Sequence, residues 1–216
     1  MRLTSHSIKL IAFTLMLVDH AGRMFVPGLW LPIAIGRLSY PLFAWLAAEG
    51  QKKTSNVAKY LGRLVLWGFI SQPFYAYFCH LANLPPQLNI LFTLALGVGA
   101  IDLWKRTARY IGLPVLFLGL VLSIVLQVAG GAYAVSIIYV MSEIRYRNAW
   151  WHVAFAGTVL VFIAIYGVSW VELCGLFSSL ILVSYNGLQG KRSKVFYLLY
   201  PVHFAGLIAI QTWLLS

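Results

Sequence analysis

Long apolar runs follow one another along this chain, and this pattern constrains its fold more than any other feature. Of the 216 residues, 61% are hydrophobic and only 10% are charged, whereas about 25% of the residues in a typical soluble domain are charged. The runs are continuous, unlike the short alternating segments of a transmembrane β-barrel. The sequence therefore predicts one all-α domain, residues 1–216, that crosses a lipid bilayer several times.

Nine transmembrane helices are predicted. The margin on this number is one, because two apolar runs nearly merge at Gly130-Gly131. Several approach the ~20 residues that span a bilayer, while the fourth and sixth are short. The predicted helices cover residues 8–26, 29–49, 57–80, 89–104, 110–129, 131–144, 149–166, 169–187 and 195–215.

The positive charge is distributed unevenly. The net charge of +11 would suit a nucleic-acid partner if it formed one surface, but fourteen of the sixteen Lys and Arg residues lie in short clusters between alternate apolar runs. This positive-inside pattern predicts a cytoplasmic N-terminus, an outer C-terminus and a membrane protein that binds no nucleic acid. The clusters are Arg2 and Lys9; Lys52, Lys53, Lys59 and Arg63; Lys105, Arg106 and Arg109; Arg145 and Arg147; and Lys191, Arg192 and Lys194.

Setting these clusters aside leaves two cations, Arg23 and Arg37, and both lie within predicted helices. A charged side chain at bilayer depth costs about 2.5–3.5 kcal/mol on insertion scales, so it normally faces a protein interior or an aqueous cavity. Asp19 can share a helix face with Arg23, four residues later. With a rise of about 1.5 Å per residue, Asp19 and Arg37 reach similar depths in two helices joined by a tight turn. We therefore expect Asp19, His20 and Arg37 to meet near mid-membrane.

This cluster has three possible roles. A purely structural Asp–Arg lock would not need the adjacent His20, whose side chain type titrates closest to neutral pH. A buried ion pair is also a costly lock where an apolar contact would serve. A small transporter is another possibility, since intramembrane charges are typical of ion pathways, but the sequence has no visible inverted repeat or paired broken helices. The sequence favours a catalytic or binding site.

Other polar residues also interrupt the predicted helices. Gln72, Asn89, Tyr200 and His203 are expected to line the same cavity or to bind the acceptor. Glu172, near the outer end of the eighth predicted helix, gives no comparable signal. The two cysteines have no metal-like spacing, so no metal site is predicted.

Five blocks of this sequence resemble those of the TraX family and occur in the same order. They are KLIAFTLMLVDHAGRMF (9–25), GRLSYPLFAWLAAEG (36–50), GRLVLWGFISQPF (62–74), NILFTLALG (89–97) and FYLLYPVHF (196–204). The fifth to eighth predicted helices contain no matching block. The family's namesake is the membrane acetylase of conjugative F-type pilin, and the family looks related to multi-pass membrane acyltransferases.

The resemblance implies an acetyltransferase that uses acetyl-CoA as co-substrate and, in the namesake, the N-terminal amine of pilin as acceptor. Relatives in the wider group acylate sugars, so a hydroxyl on a lipid-linked or cell-surface glycan is an alternative acceptor. The family motif residues are Asp19, His20, Arg37, Pro41, Glu49, Arg63, Gln72, Pro73, Asn89, Thr93, Tyr200, Pro201 and His203.

The residues and the resemblance together suggest a mechanism. His20 is the expected general base, because an ammonium acceptor must lose a proton before it attacks a thioester. Asp19 would fix the tautomer of His20 or hold Arg37, and Arg37 or Gln72 would stabilise the oxyanion. The cations Lys52, Lys53 and Arg63, which serve topology first, are candidates for binding the CoA phosphates.

Overall fold

The computed structural model describes residues 2–107, 109–143, 148–191 and 195–215. Over these ranges the chain is helical and forms no β-strand. The elements are α1 (Ser5–Phe25), α2 (Trp30–Gly36), α3 (Ser39–Lys53), α4 (Val57–Leu81), α5 (Ile90–Arg106), α6 (Arg109–Val125), α7 (Gly131–Ser142), α8 (Ala149–Tyr166), a 3-10 helix (Trp170–Phe177), α9 (Ser178–Val183) and α10 (Val195–Leu215).

Three helical stretches in the described ranges are long and apolar enough to cross a membrane: Trp30–Lys53, Ala149–Tyr166 and Val195–Leu215. The chain is thus an all-helical membrane protein. The nine spans and the orientation of the termini stay predictions.

Two predicted helices are interrupted. The second breaks at Arg37 and Leu38, because Pro41 has no N–H to bond the Arg37 carbonyl and is tolerated in the first turn of a new helix. The eighth, predicted over 169–187, is instead the 3-10 helix followed by α9. This 3-10 helix packs against the break, where a Cβ on Gly175 would lie 3.2 Å from the Arg37 carbonyl oxygen.

The connections between helices lie at two opposite ends of the bundle. At one end Leu88 joins the 126–130 turn, with its N–H donating to the Gln127 carbonyl at 2.9 Å. At the other end Lys52 Nζ donates to the Ser142 carbonyl at 2.5 Å, and Lys105 pairs with Glu143. The end with Lys52 and Lys105 is called the predicted cytoplasmic end, because these cations belong to the predicted loop clusters. The end with Leu88 is called the predicted outer end. Arg145, Arg147, Arg192 and Lys194 of those clusters lie outside the described residues.

The α1–α2 hairpin is packed closely enough to require glycine at two positions. A Cβ on Gly22 would clash with Pro32, and a Cβ on Gly36 would clash with Asp19. Small residues allow this close approach of helix backbones in membranes. Gly36 is the last residue of α2 and packs against Asp19, so the backbone of the next residue, Arg37, lies close to the Asp19 carboxylate.

Candidate functional site

Four charged side chains form a network at the α1–α2 hairpin. Arg23 Nε donates to Asp19 Oδ2 at 2.8 Å, and Arg37 Nη2 donates to Asp19 Oδ1 at 2.6 Å. Arg37 Nη1 also donates to Glu172 Oε1 at 2.7 Å. Two carboxylates therefore balance two guanidinium groups, and such pairing is what makes charge tolerable in a low-dielectric interior.

The network confirms the predicted contact of Asp19 with Arg37 and reveals Glu172, which the sequence reasoning missed. One signal could have identified it. Near the predicted depth of Arg23 and Arg37, the first two predicted helices contain a single carboxylate, Asp19, which leaves one positive charge uncompensated. Glu172 supplies the missing negative charge from the 3-10 helix.

His20, next to Asp19 in α1, bonds to α10 rather than to this network. Its Nδ1 lies 3.0 Å from Nε2 of His203, and the two rings are nearly parallel, with an angle of 8° between them. Nδ1 of His203 lies 3.3 Å from the carbonyl oxygen of Leu199. The contact with His203 in the last helix was not foreseen, although both histidines were expected at one cavity.

These two hydrogen bonds determine where the imidazole protons lie. A carbonyl oxygen can only accept, so Nδ1 of His203 carries a proton and its Nε2 is an acceptor. Nδ1 of His20 must then donate to His203, which leaves Nε2 of His20 unprotonated. Of the two roles predicted for Asp19, the structure shows the contact with Arg37, while His203 supports the tautomer of His20.

A cavity of about 360 Å³, which we call the His20 cavity, is lined both by the charged network and by His20. Asp19, His20, Arg37 and Glu172 all line it, and so does Tyr200 from α10. Phe78, which also lines the cavity, and Phe204 pack against the His20 ring, with ring centroids 5.1 and 4.9 Å away, and both are fully buried. An apolar wall thus backs the imidazole, and the charged network forms the polar part of the cavity.

Gln72, Asn89 and His203 were expected in the cavity, but none of the three is among the residues that line it. Gln72 Oε1 accepts from Asn89 N and Nδ2 at 3.0 and 2.8 Å, and its Nε2 donates to the Gln87 carbonyl at 2.9 Å. Asn89 also donates to the Gly68 carbonyl and caps α5 through Leu91. Both side chains connect α4 to the start of α5, and Gln72 also holds Gln87, which does line the cavity.

The three predicted phosphate-binding cations lie outside the cavity, and two of them have partners within the protein. Lys52 bonds the carbonyl of Ser142, near the C-terminal end of α7. Lys53 Nζ lies 2.9 Å from Glu49 Oε1 and donates to the Tyr185 hydroxyl at 2.7 Å. The Arg63 guanidinium lies 5.9 Å from the Tyr60 ring centroid, and the described ranges show no carboxylate paired with it. These ranges also contain no group of three or more His, Cys, Asp or Glu residues placed to hold a metal ion.

The fold and site define a class: a helical membrane protein with one cavity that is lined by a charge-balanced ion network and by one histidine of a hydrogen-bonded pair. Comparison with protein families then identifies the chain, because the TraX protein family matches residues 4–211. The chain belongs to the TraX family, as the five sequence blocks indicated. The match also covers α6 to α9, where no block had been found.

A relative of known name extends the comparison. The chain is 29% identical over 243 residues to the probable fimbrial assembly protein FimC, serogroup H1, of Dichelobacter nodosus. The similarity covers 98% of this chain and 97% of the relative. No solved structure matches this protein.

Proposed function

We propose that this protein is an acetyl-CoA-dependent acetyltransferase of the bacterial inner membrane that acetylates the N-terminal amine of a pilin subunit. The observation that supports it most strongly is the His20–His203 pair, which leaves an unprotonated imidazole nitrogen on a cavity-lining residue. The TraX resemblance implies pilin acetylation, and the name of the FimC relative, a fimbrial assembly protein, supports a pilus-related acceptor.

In the proposed reaction, Nε2 of His20 takes a proton from the acceptor ammonium. His20 releases that proton to solvent, and the neutral amine attacks the thioester carbonyl carbon, forming the C–N bond and an oxyanion while Nε2 of His20 takes the second proton from the attacking nitrogen. When that intermediate collapses, the C–S bond breaks, the amide forms and the CoA sulfur leaves with the proton returned by His20. Direct transfer of this kind needs no covalent acetyl-enzyme.

Arg37 is the better candidate for stabilising the oxyanion. Its guanidinium lines the cavity, and its bonds to Ile33, Asp19 and Glu172 use three of the five N–H groups that an arginine carries. Gln72, the other candidate, lies outside the lining and has both amide groups engaged. The positive charge of Arg37 also suits a developing oxyanion in a partly buried site.

Arg63→Ala should raise the KM for acetyl-CoA by about tenfold or more, because a hydrogen bond to a charged group contributes about 1.5–3 kcal/mol. Lys52→Ala should raise it less, since the Lys52 ammonium already bonds the Ser142 carbonyl. Initial rates at varied acetyl-CoA concentration check this, with exposed Arg106→Ala as the control. An equal KM in Arg63→Ala and wild type would remove Arg63 from the donor site.

The experiment that tests the proposed function follows radiolabelled acetyl groups from acetyl-CoA in membranes that contain the wild type or His20→Ala. Label on a small pilin-like protein, absent with His20→Ala, is the expected result. Label on glycan would keep the enzyme and make it an O-acetyltransferase. Full incorporation with correctly inserted His20→Ala would contradict the assignment of the base, and no protein-dependent label would favour a transporter.

A further inference from the structure

A second cavity, of about 540 Å³, adjoins the His20 cavity at the predicted outer end. The two cavities share the wall residues Pro85, Gln87, Gly130 and Tyr133. The two cavities therefore adjoin each other along these four residues, which would contact a molecule that occupied both.

This second cavity, the aromatic groove, has an apolar lining. Tyr133, Phe162 and Tyr166 form one side, with ring centroids 5.5 Å apart for the first pair and 5.1 Å for the second. Pro86 and Val128 line it as well, and none of its described lining residues is charged. An occupant with charges or many hydroxyl groups would leave those groups without partners, which is costly in an apolar site.

The rim of the groove is held in a fixed conformation. Gln127 has a φ of 47°, uncommon for a residue other than glycine, and its carbonyl accepts a hydrogen bond from the Leu88 N–H. The hydroxyl of Thr93, a family motif residue, donates to the Ala129 carbonyl at 2.9 Å. A rim that is fixed before binding spares the ordering of a loop when a ligand arrives.

The other neighbour of the His20 cavity has a different chemistry. The tryptophan vestibule, of about 410 Å³, is lined by Trp30 and Trp170 and shares Arg23, Arg37 and Glu172 with the His20 cavity. The charged network therefore lies between the vestibule and the His20 cavity. An apolar acceptor chain that entered through the vestibule would have to pass these charges, whereas the aromatic groove presents none on its described lining.

We infer that the aromatic groove binds the uncharged, apolar polypeptide segment that directly follows the acceptor amine. The inference rests on the proposed function and adds the substrate class that the enzyme selects. With that segment in the groove, the amine lies in the His20 cavity, so recognition depends on the residues after the N-terminal one. A glycan chain is a poorer fit, because most of the described lining is apolar and two of its five polar side chains already donate within the protein. Gln87 Nε2 donates to the Tyr75 hydroxyl, and the Ser123 hydroxyl donates to the Leu120 carbonyl.

The test compares two peptides as acceptors for the purified full-length protein. Both begin with alanine, but one continues with apolar residues and the other with serine and glycine. The wild type should show a KM for the apolar peptide that is about tenfold lower or more, since burying one large apolar side chain contributes about 1.5–3 kcal/mol. The double variant Phe162→Ala/Tyr166→Ala should raise the KM for the apolar peptide to that of the polar one, with kcat for both peptides unchanged.

Phe117→Ala is the matched control, because Phe117 is 68% exposed on α6 and is not among the residues that line the groove. Unchanged turnover of the polar peptide by the double variant also shows that this variant folds. Equal KM values for the two peptides in the wild type, or equal losses for both in the double variant, would overturn the inference while leaving the acetyltransferase in place. The inference would also be overturned if the double variant changed the KM for a glycan acceptor and not for the apolar peptide. No His20-dependent acetylation of either peptide would overturn the proposed function, and the inference with it.

Discussion

Replacing His203 with phenylalanine should lower kcat for acetyl transfer by about 10²-fold to 10⁴-fold, the usual contribution of general acid–base catalysis. The His203 ring packs against Phe13, Tyr200 and Phe204, and phenylalanine keeps that aromatic packing. The change removes Nε2, the acceptor that lies 3.0 Å from Nδ1 of His20. Without it, His20 can carry its proton on Nε2 and cannot take one from the acceptor.

His203→Gln separates this positioning role from a structural one. A glutamine side chain can place an amide oxygen near the position of the imidazole Nε2, so His203→Gln should recover most of the lost rate. His80→Phe, an exposed position on α4, is the matched control and should leave kcat unchanged. Initial rates at saturating acetyl-CoA and acceptor make the comparison. Wild-type kcat with His203→Phe would show that His203 does not set the tautomer of His20.

Replacing Asp19 with asparagine should destabilise the protein by about 3–5 kcal/mol, the range for removing one partner of a buried ion pair. The Asp19 side chain is 9% exposed and bonds both Arg23 and Arg37, so its loss leaves two guanidinium groups beside a single remaining carboxylate, Glu172. For a chain of this size, that corresponds to a fall in melting temperature of roughly 6–20 °C. Thermal unfolding of the detergent-purified protein measures it.

Asp102→Asn is the matched control: the Asp102 side chain is 18% exposed, but its partner Arg106 is 66% exposed and is hydrated when the pair is lost, and an asparagine oxygen can still accept from Gln51. An exposed ion pair contributes about 0–1 kcal/mol, so this variant should melt close to wild type. Adding Arg23→Gln to Asp19→Asn restores the charge balance and should recover part of the lost stability. If Asp19→Asn and Asp102→Asn melt alike, the network does not stabilise the α1–α2 hairpin.

Several helices could be predicted from the sequence alone to within about a residue. Residues 57–80, 149–166 and 195–215 were predicted, and α4, α8 and α10 occupy Val57–Leu81, Ala149–Tyr166 and Val195–Leu215. Their bounds follow from local properties, namely the length of an apolar run and the polar residues that cap it. The interruption at Arg37 and the 3-10 helix were missed, because those two segments pack against each other across a long sequence separation.

The candidate site shows the same division between local and long-range information. The contact of Asp19 with Arg37 was predictable, since a tight turn joins consecutive helices and the helical rise sets the depth of each residue. Arg37 and Glu172 are 135 residues apart, and His20 and His203 are 183 apart. The sequence by itself determined that ionisable groups lie buried in a helical membrane protein of the TraX family. Only the tertiary structure decided their partners, because an apolar run specifies that a helix forms but not which other helix it packs against.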